Sequence, residues 1–142
     1  MVERFSLLIS IAVAVALARS ATAAAPNYIL VSGPGLAGPV LLSNWSENGA
    51  LLSAVVSAPR AKHRTVRSLS RRPRFHLAEF WGWRDRPRPT QPRQANQHGW
   101  FYPAHCGQPP VIDLTVDGQM VPRIAPRRAL RILTRHGVPT QL

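Results

Sequence analysis

One β-hairpin pattern restricts the fold of this chain more than any other sequence feature. In residues 111–116, apolar side chains alternate with polar ones, which is typical of a strand with one buried face. Asp117 and Gly118 suit the two-residue turn of a hairpin. Residues 119–124 form the predicted returning strand, and Pro122 confines that strand to a sheet edge or a bulge. The pattern therefore predicts an antiparallel sheet.

A short amphipathic helix is predicted directly after the hairpin. Pro126 suits the first helical position, and Gly137 suits the position just past the helix end. At the helical period, residues 127–136 divide into an apolar face and a basic face. We expect the apolar face to pack on the sheet. The basic face carries Arg127, Arg128, Arg131 and Arg135.

Residues 33–38 match G-x-G-x-x-G literally, but their surroundings predict a β-turn rather than a dinucleotide site. A dinucleotide loop needs a helix after its last glycine and an acidic residue about 20 positions further on. Residues 39–43 predict a strand instead, and Glu47 comes too early. Pro34 and Gly35 occupy the second and third positions of a type II turn, which these residue types favour. The expected turn joins two short strands.

The segment 50–57 is compatible with either a helix or a strand. Asn44 or Ser46 would cap a helix that runs through this segment. Asn48 and Gly49 would instead form a hairpin turn and start a strand. The residue pattern leaves both alternatives open.

An aromatic segment, residues 75–83, predicts an interior strand because both of its alternating faces are largely apolar. Residues 99–102 predict a second short aromatic strand. We expect the large rings to form the core of a small domain rather than to stack on bases. Residues 26–142 are therefore predicted to form a single small α+β domain. It would contain an antiparallel sheet of four to six strands, a C-terminal helix packed on the sheet, and long basic or proline-rich loops.

The first 25 residues have the pattern of a secretory signal peptide. A short charged start precedes an apolar run, and Ala21-Thr22-Ala23 supplies the small residues of a cleavage site. The apolar run is shorter than the ~20 residues that a membrane-spanning helix needs. We expect cleavage after Ala23 or Ala25 and export to the periplasm, the cell surface or the exterior.

The charge balance favours an anionic partner. The chain contains 18 basic and 6 acidic residues, for a formal net charge of +12. Residues 59–74 and 84–97 predict two basic loops, because apolar periodicity disappears there. An envelope polymer or phospholipid headgroups are favoured over nucleic acid as the partner of an exported protein. The predicted anion-binding residues are Arg71, Arg72, Arg74, Arg84, Arg86 and Arg88, followed by Arg127, Arg131 and Arg135.

The leading prediction is thus a non-enzymatic binding module, with two alternatives. One alternative is a small thiol-dependent hydrolase or oxidoreductase that uses Cys106 with His76 or His98. His105 is adjacent to that cysteine and would point away from it on an extended chain. Because the cysteine is single, a disulfide within the chain is excluded, and we expect the thiol to be buried or inert. The other alternative is an accessory subunit that contacts a protein. No cofactor is expected. No metal is expected either, because the spacing of the histidines and the cysteine matches no zinc finger.

Overall fold

A computed structural model describes residues 24–116 and 118–142, so the predicted signal peptide lies almost entirely outside the described residues. In chain order the described strands and α-helices are β1 (Tyr28–Ser32), β2 (Val40–Leu42), α1 (Trp45–Val56), α2 (His63–Ser68), β3 (Phe75–Phe80), β4 (Gln97–Tyr102), β5 (Val111–Val116), β6 (Gln119–Ile124) and α3 (Arg127–Arg135). Among these helices, none combines the length and the apolar character that a membrane crossing requires.

The six strands form one antiparallel sheet in the order β2-β1-β3-β4-β5-β6. The predicted hairpin is present, with Ile112 opposite Arg123 and Leu114 opposite Val121. Strand β6 lies at the sheet edge, as its proline requires. The prediction of a small α+β domain with a C-terminal helix is confirmed.

Part of the outer edge of β6 is covered by the chain that follows α1. The amide of Ala61 donates to the carbonyl of Pro122 at 2.9 Å, and the amide of Ile124 donates to the carbonyl of Pro59 at 2.9 Å. The other sheet edge is β2, which is three residues long.

The turn predicted at residues 33–36 is also present. The amide of Leu36 donates to the carbonyl of Gly33 at 3.4 Å, and Gly35 has a φ of 80°. A positive φ at the third turn position is the reason why glycine is favoured there.

The open alternative at residues 50–57 is resolved as a helix. Asn44 caps α1, because its side-chain oxygen accepts the amide hydrogen of Glu47 at 3.0 Å. Asn48, which favoured a hairpin turn, is fully buried inside the helix. Its Nδ2 donates to the carbonyls of Pro26 at 3.1 Å and Leu42 at 3.2 Å. These bonds tie the helix to the segment that precedes β1 and to β2, and they override the local turn preference.

Helices α1 and α3 cover one face of the sheet and enclose the main core. Phe75 and Phe101 are fully buried there, with ring centroids 6.1 Å apart. Leu51 from α1 and Leu133 from α3 pack into the same cluster. The basic face of α3 stays outside, as its periodicity predicted.

The opposite face of the sheet carries two smaller apolar clusters. The loop between β3 and β4 covers one cluster, in which Trp83 lies edge-on to Phe80 at 5.0 Å between centroids. The other cluster joins Leu69 to Tyr102 and Val111. Burial confirms the predicted core role for Phe101 and Trp83, whereas Trp81 and Trp100 are half-buried.

A methyl group at Gly99 is expected to destabilise the sheet by roughly 1–3 kcal/mol, because the site is already filled. A Cβ there would overlap Cδ2 of Leu114 and would lie 2.7 Å from the main-chain oxygen of Asp113. Urea unfolding of Gly99→Ala would measure the loss. Gly38→Ala is the matched control, since a methyl at Gly38 meets nothing within 4 Å. Equal stability of Gly99→Ala and the wild type would contradict this packing.

Candidate functional site

A basic cleft of about 680 Å³ lies beside α2 and the turn that follows β4. None of the described residues that line it is acidic, and each carries a side-chain group that can donate a hydrogen bond. They are Arg64, Arg67, Ser68, Ser70, Arg71, Arg72, His105, Cys106 and Gln108. We call this group the basic cleft. Its walls come from segments more than 30 positions apart in the sequence, which the sheet brings together.

The first wall corrects a prediction, because residues 59–74 are not a loop throughout. They contain α2 and a 3-10 turn, Leu69–Arg71. Thr65 and Leu69 are buried and lie four residues apart, so they anchor one side of this segment. Arg64, Arg67 and Arg71 share the opposite, exposed side at helical spacing. The like charges therefore face solvent without preventing a short helix.

Arg72 sits in this wall as a buried cation. Only 7% of the residue is exposed. Its Nη2 donates to the carbonyls of Pro103 at 2.5 Å and Pro109 at 2.7 Å, and lies 3.5 Å from that of Tyr102. Among the described residues, no carboxylate pairs with it, and its Nε and Nη1 have no partner. Burial lowers the pKa of Arg72, because desolvation disfavours the charged form.

The second wall is a tight turn formed by residues 105–108. The amide of Gln108 donates to the carbonyl of His105 at 2.9 Å, and the reverse bond is 3.2 Å. Cys106 and Gly107 have φ angles of 47° and 76°, which define a two-residue hairpin turn of the primed class. A positive φ at a residue other than glycine is uncommon. Nδ1 of His105 lies 2.8 Å from the main-chain oxygen of Leu142, which orients the ring.

The turn overturns two expectations about the cysteine. Cys106 is exposed, so the buried alternative of the prediction of a buried or inert thiol is wrong. His105 lines the same cleft, because the two residues occupy a turn rather than an extended strand. His76 and His98, the partners considered for the cysteine, are not among the residues that line the cleft.

The predicted anion-binding arginines lie on several surfaces, and only two of them reach the basic cleft. Those two are Arg71 and the buried Arg72. Arg74 lies over the ring of Trp100, with its guanidinium carbon 3.8 Å from the centroid. Three of the predicted residues, Arg84, Arg86 and Arg88, are exposed in the β3–β4 loop.

Helix α3 carries the last predicted group, which consists of Arg127, Arg131 and Arg135 and is exposed. Arg135 pairs with Glu47 of α1 at 3.4 Å, and Nε2 of His136 lies 3.0 Å from the same carboxylate oxygen. Part of the charge on this helix is therefore already balanced within the protein.

The sequence-based prediction missed Arg64 and Arg67 as members of the site. Their spacing to Arg71 is i, i+3 and i+7, which places three arginines on one helical face. That signal was present, but it depends on recognising a helix in a highly basic segment. No sequence pattern indicates that residues 105–108 contribute to the basic cleft, since their position depends on the path of the chain after β4.

A second polar cluster lies on the open part of the sheet. Nε2 of His76 is 2.9 Å from Nδ1 of His98, and their ring planes differ by 7°. A nitrogen–nitrogen contact of this length is a hydrogen bond in which one ring donates to the other. Burial, followed by His98 and Arg74, lowers the pKa of His76. Among the described residues, no three His, Cys, Asp or Glu side chains converge on one point.

Glu79 is a buried carboxyl outside both clusters. Only 1% of it is exposed, and burial raises its pKa to about 7. No donor from the described residues reaches its Oε2. Strand alternation places Glu79 on the same face as Leu77, within the sheet and away from the basic cleft.

No protein-family model, curated protein or solved structure matches this chain. The chemistry of the basic cleft is thus the main guide to function. Guanidinium groups bind carboxylate, sulfate and phosphate oxygens through paired hydrogen bonds. Hydroxyl and amide donors in the same cleft would complete the coordination of such an oxyanion.

Proposed function

We propose that the protein is a non-enzymatic binding module that holds an anionic polymer outside the cytoplasm, with the basic cleft as the main contact. The observation that carries the proposal is the buried cation Arg72, which has no counter-ion among the described residues. An uncompensated buried charge is costly, and a bound anion nearby would reduce that cost. Export, which the signal-peptide pattern predicts, would bring the protein to such polymers.

The exposed arginines of the cleft support the same role. Arg64, Arg67 and Arg71 repel one another on one face, and none of the described acidic residues lines the cleft to offset them. An acidic group placed between them would relieve this repulsion and form charge-assisted hydrogen bonds. The cleft therefore suits a ligand that carries several negative charges.

The shape of the cleft favours a polymer chain over the other anionic partners. A concave site of about 680 Å³ admits a segment of a polysaccharide, whereas a membrane presents a broad and nearly flat surface. In the part of the chain that the structure describes, no Phe, Tyr or Trp lines the cleft, whereas stacking rings are typical of single-stranded nucleic-acid sites. We therefore favour an acidic polysaccharide of the cell envelope. The arginines of the β3–β4 loop and of α3 would make secondary contacts.

The test compares two variants that lose the same charge from different surfaces. The cleft variant is Arg64→Gln/Arg67→Gln/Arg71→Gln, and the loop control is Arg84→Gln/Arg86→Gln/Arg88→Gln. Each variant and the wild type would be titrated with polygalacturonate, anionic phospholipid vesicles and duplex DNA at several salt concentrations. We expect polygalacturonate binding to weaken at least about tenfold in the cleft variant and less than about threefold in the control.

Two outcomes would contradict the proposal. Equal losses in both variants would mean that binding depends on net charge and not on the cleft. Stronger cleft-dependent binding to vesicles or DNA than to polygalacturonate would assign the cleft to a different partner. Circular dichroism of both variants would verify that they keep the wild-type fold.

A further inference from the structure

The thiol of Cys106 occupies a prominent position between two cavities. It lines the basic cleft, and it also lines a smaller cavity of about 330 Å³ next to Gln141 and Leu142. Because the residue sits in a tight turn that is closed by two main-chain hydrogen bonds, its backbone is held at the cleft rim. A reagent that enters the basic cleft therefore comes next to this exposed cysteine.

An independent observation indicates which reagents would enter. Arg72 lines the same cleft, is more than nine-tenths buried, and has two nitrogens without partners among the described residues. Arg64, Arg67 and Arg71 add three exposed positive charges. Such a site raises the local concentration of anions and their rate of encounter.

We infer that Cys106 is a site of thiol–disulfide exchange for small disulfides that carry carboxylate groups, selected by the basic cleft. The inference rests on the proposed function in that the same cleft attracts the anion. The ligand class is new, since a small anionic disulfide differs from an acidic polymer and ends in a covalent bond.

The exchange step needs no other oxidant, because the disulfide itself is reduced as it reacts with the thiol. The Cys106 thiol loses its proton, and Sγ attacks one sulfur of R–S–S–R. A new Sγ–S bond forms as the old S–S bond breaks. One thiolate, RS⁻, leaves and takes up the proton, while the other RS group stays on the protein as a mixed disulfide.

The mixed disulfide has no route to resolution within the protein. The chain has one cysteine, so no second thiol within it can release the RS group. The adduct should persist until an external thiol reverses the reaction. Cys106 is therefore assigned as a reversible modification site, and a bound RS group would add negative charge to the cleft and weaken polymer binding.

The test measures selectivity between two disulfide reagents that differ in charge. Stopped-flow absorbance would give the rate constants of the full chain with dianionic 5,5′-dithiobis(2-nitrobenzoate) and with neutral 2,2′-dithiodipyridine. The rate constant for the dianionic reagent is divided by that for the neutral reagent. This ratio cancels any change in the intrinsic reactivity of the thiol, because such a change affects both reagents alike. We expect this ratio to fall about tenfold in the cleft variant Arg64→Gln/Arg67→Gln/Arg71→Gln and to stay within about twofold in the loop control.

Added salt should lower the ratio of the wild-type protein toward that of the cleft variant, since exposed charges are screened. Intact mass should show one adduct on the wild type and none on Cys106→Ser. An unchanged ratio in the cleft variant would overturn the inference, and so would a covalent dimer as the main product. If the ratio stays unchanged while polygalacturonate binding still depends on the cleft, only the inference about Cys106 fails.

Discussion

Replacing Glu79 by glutamine is expected to raise the free energy of unfolding at pH 8 by up to about 3 kcal/mol. Burial raises the pKa of this carboxyl from 4.5 to about 7, and each unit corresponds to about 1.4 kcal/mol between the two protonation states. Glutamine keeps nearly the same shape and has no charge to desolvate. The gain should be largest where the wild-type carboxyl is ionised.

The sign of the pH dependence is set by proton binding. Below the pKa of the unfolded state, both the folded and the unfolded protein hold the proton, so ionisation of Glu79 does not affect stability. Between pH 4.5 and about 7 the unfolded chain releases its proton while folded Glu79 keeps it, so stability falls as pH rises. Above that range the loss is complete and constant. Urea unfolding of the wild type and of Glu79→Gln across this range would measure the difference directly.

Two comparisons separate the effect of the Glu79 carboxyl on stability from the effects of other titratable groups. The lowered pKa of His76 acts with the opposite sign, since it makes stability fall as pH drops through the ordinary range of histidine. Subtracting the wild-type pH profile from that of Glu79→Gln cancels the contribution of His76, because both proteins contain this histidine. Asp85→Asn removes an exposed carboxyl from the β3–β4 loop and should change the free energy of unfolding by less than about 0.5 kcal/mol. A Glu79→Gln profile that coincides with the wild type at every pH would refute the prediction.

Arg72→Met is expected to lower the free energy of unfolding by about 2–4 kcal/mol. Methionine keeps much of the apolar stem but cannot donate to the carbonyls of Pro103 and Pro109. These oxygens lie on either side of the turn that carries Cys106, and the substitution would leave them without their charged donor. Hydrogen bonds to a charged group contribute about 1.5–3 kcal/mol each, and the removed desolvation cost offsets part of that loss.

Arg71→Met provides the control for this substitution. Arg71 is the preceding residue and is exposed, so the same change should alter stability by less than about 0.5 kcal/mol. Chemical denaturation of both variants would give the comparison. If Arg72→Met were as stable as the wild type or more so, the desolvation cost would exceed the value of the hydrogen bonds.

The sequence predicted the elements whose signals are local. The β5–β6 hairpin is indicated by alternation, and α3 is indicated by an amphipathic pattern between Pro126 and Gly137. The turn at residues 33–36 is indicated by the backbone preference of Gly35. In each case the deciding residues are close together in the chain, so tertiary contacts were not needed to predict the element.

Other features depended on contacts that a local pattern does not contain. Asn48 is helical because its amide bonds to main-chain oxygens more than twenty positions away as well as to nearby Leu42. Arg71 and Arg72 are neighbours of the same type, yet one is exposed and the other is buried. That difference arises from carbonyls 30 to 37 positions further along the chain. The basic cleft was therefore predicted only as a charged region and not as a site.

The two margins of the sheet have a consequence for how molecules of this protein meet one another. An exposed strand margin is a template on which a neighbouring chain can add, and repeated addition leads to fibrous aggregates. Here one margin is a strand of three residues, and the other contains a proline and is partly covered by residues 59–61. Each margin offers few consecutive donors and acceptors. The architecture thus resists strand addition at high concentration, even though its sheet is open rather than closed into a barrel.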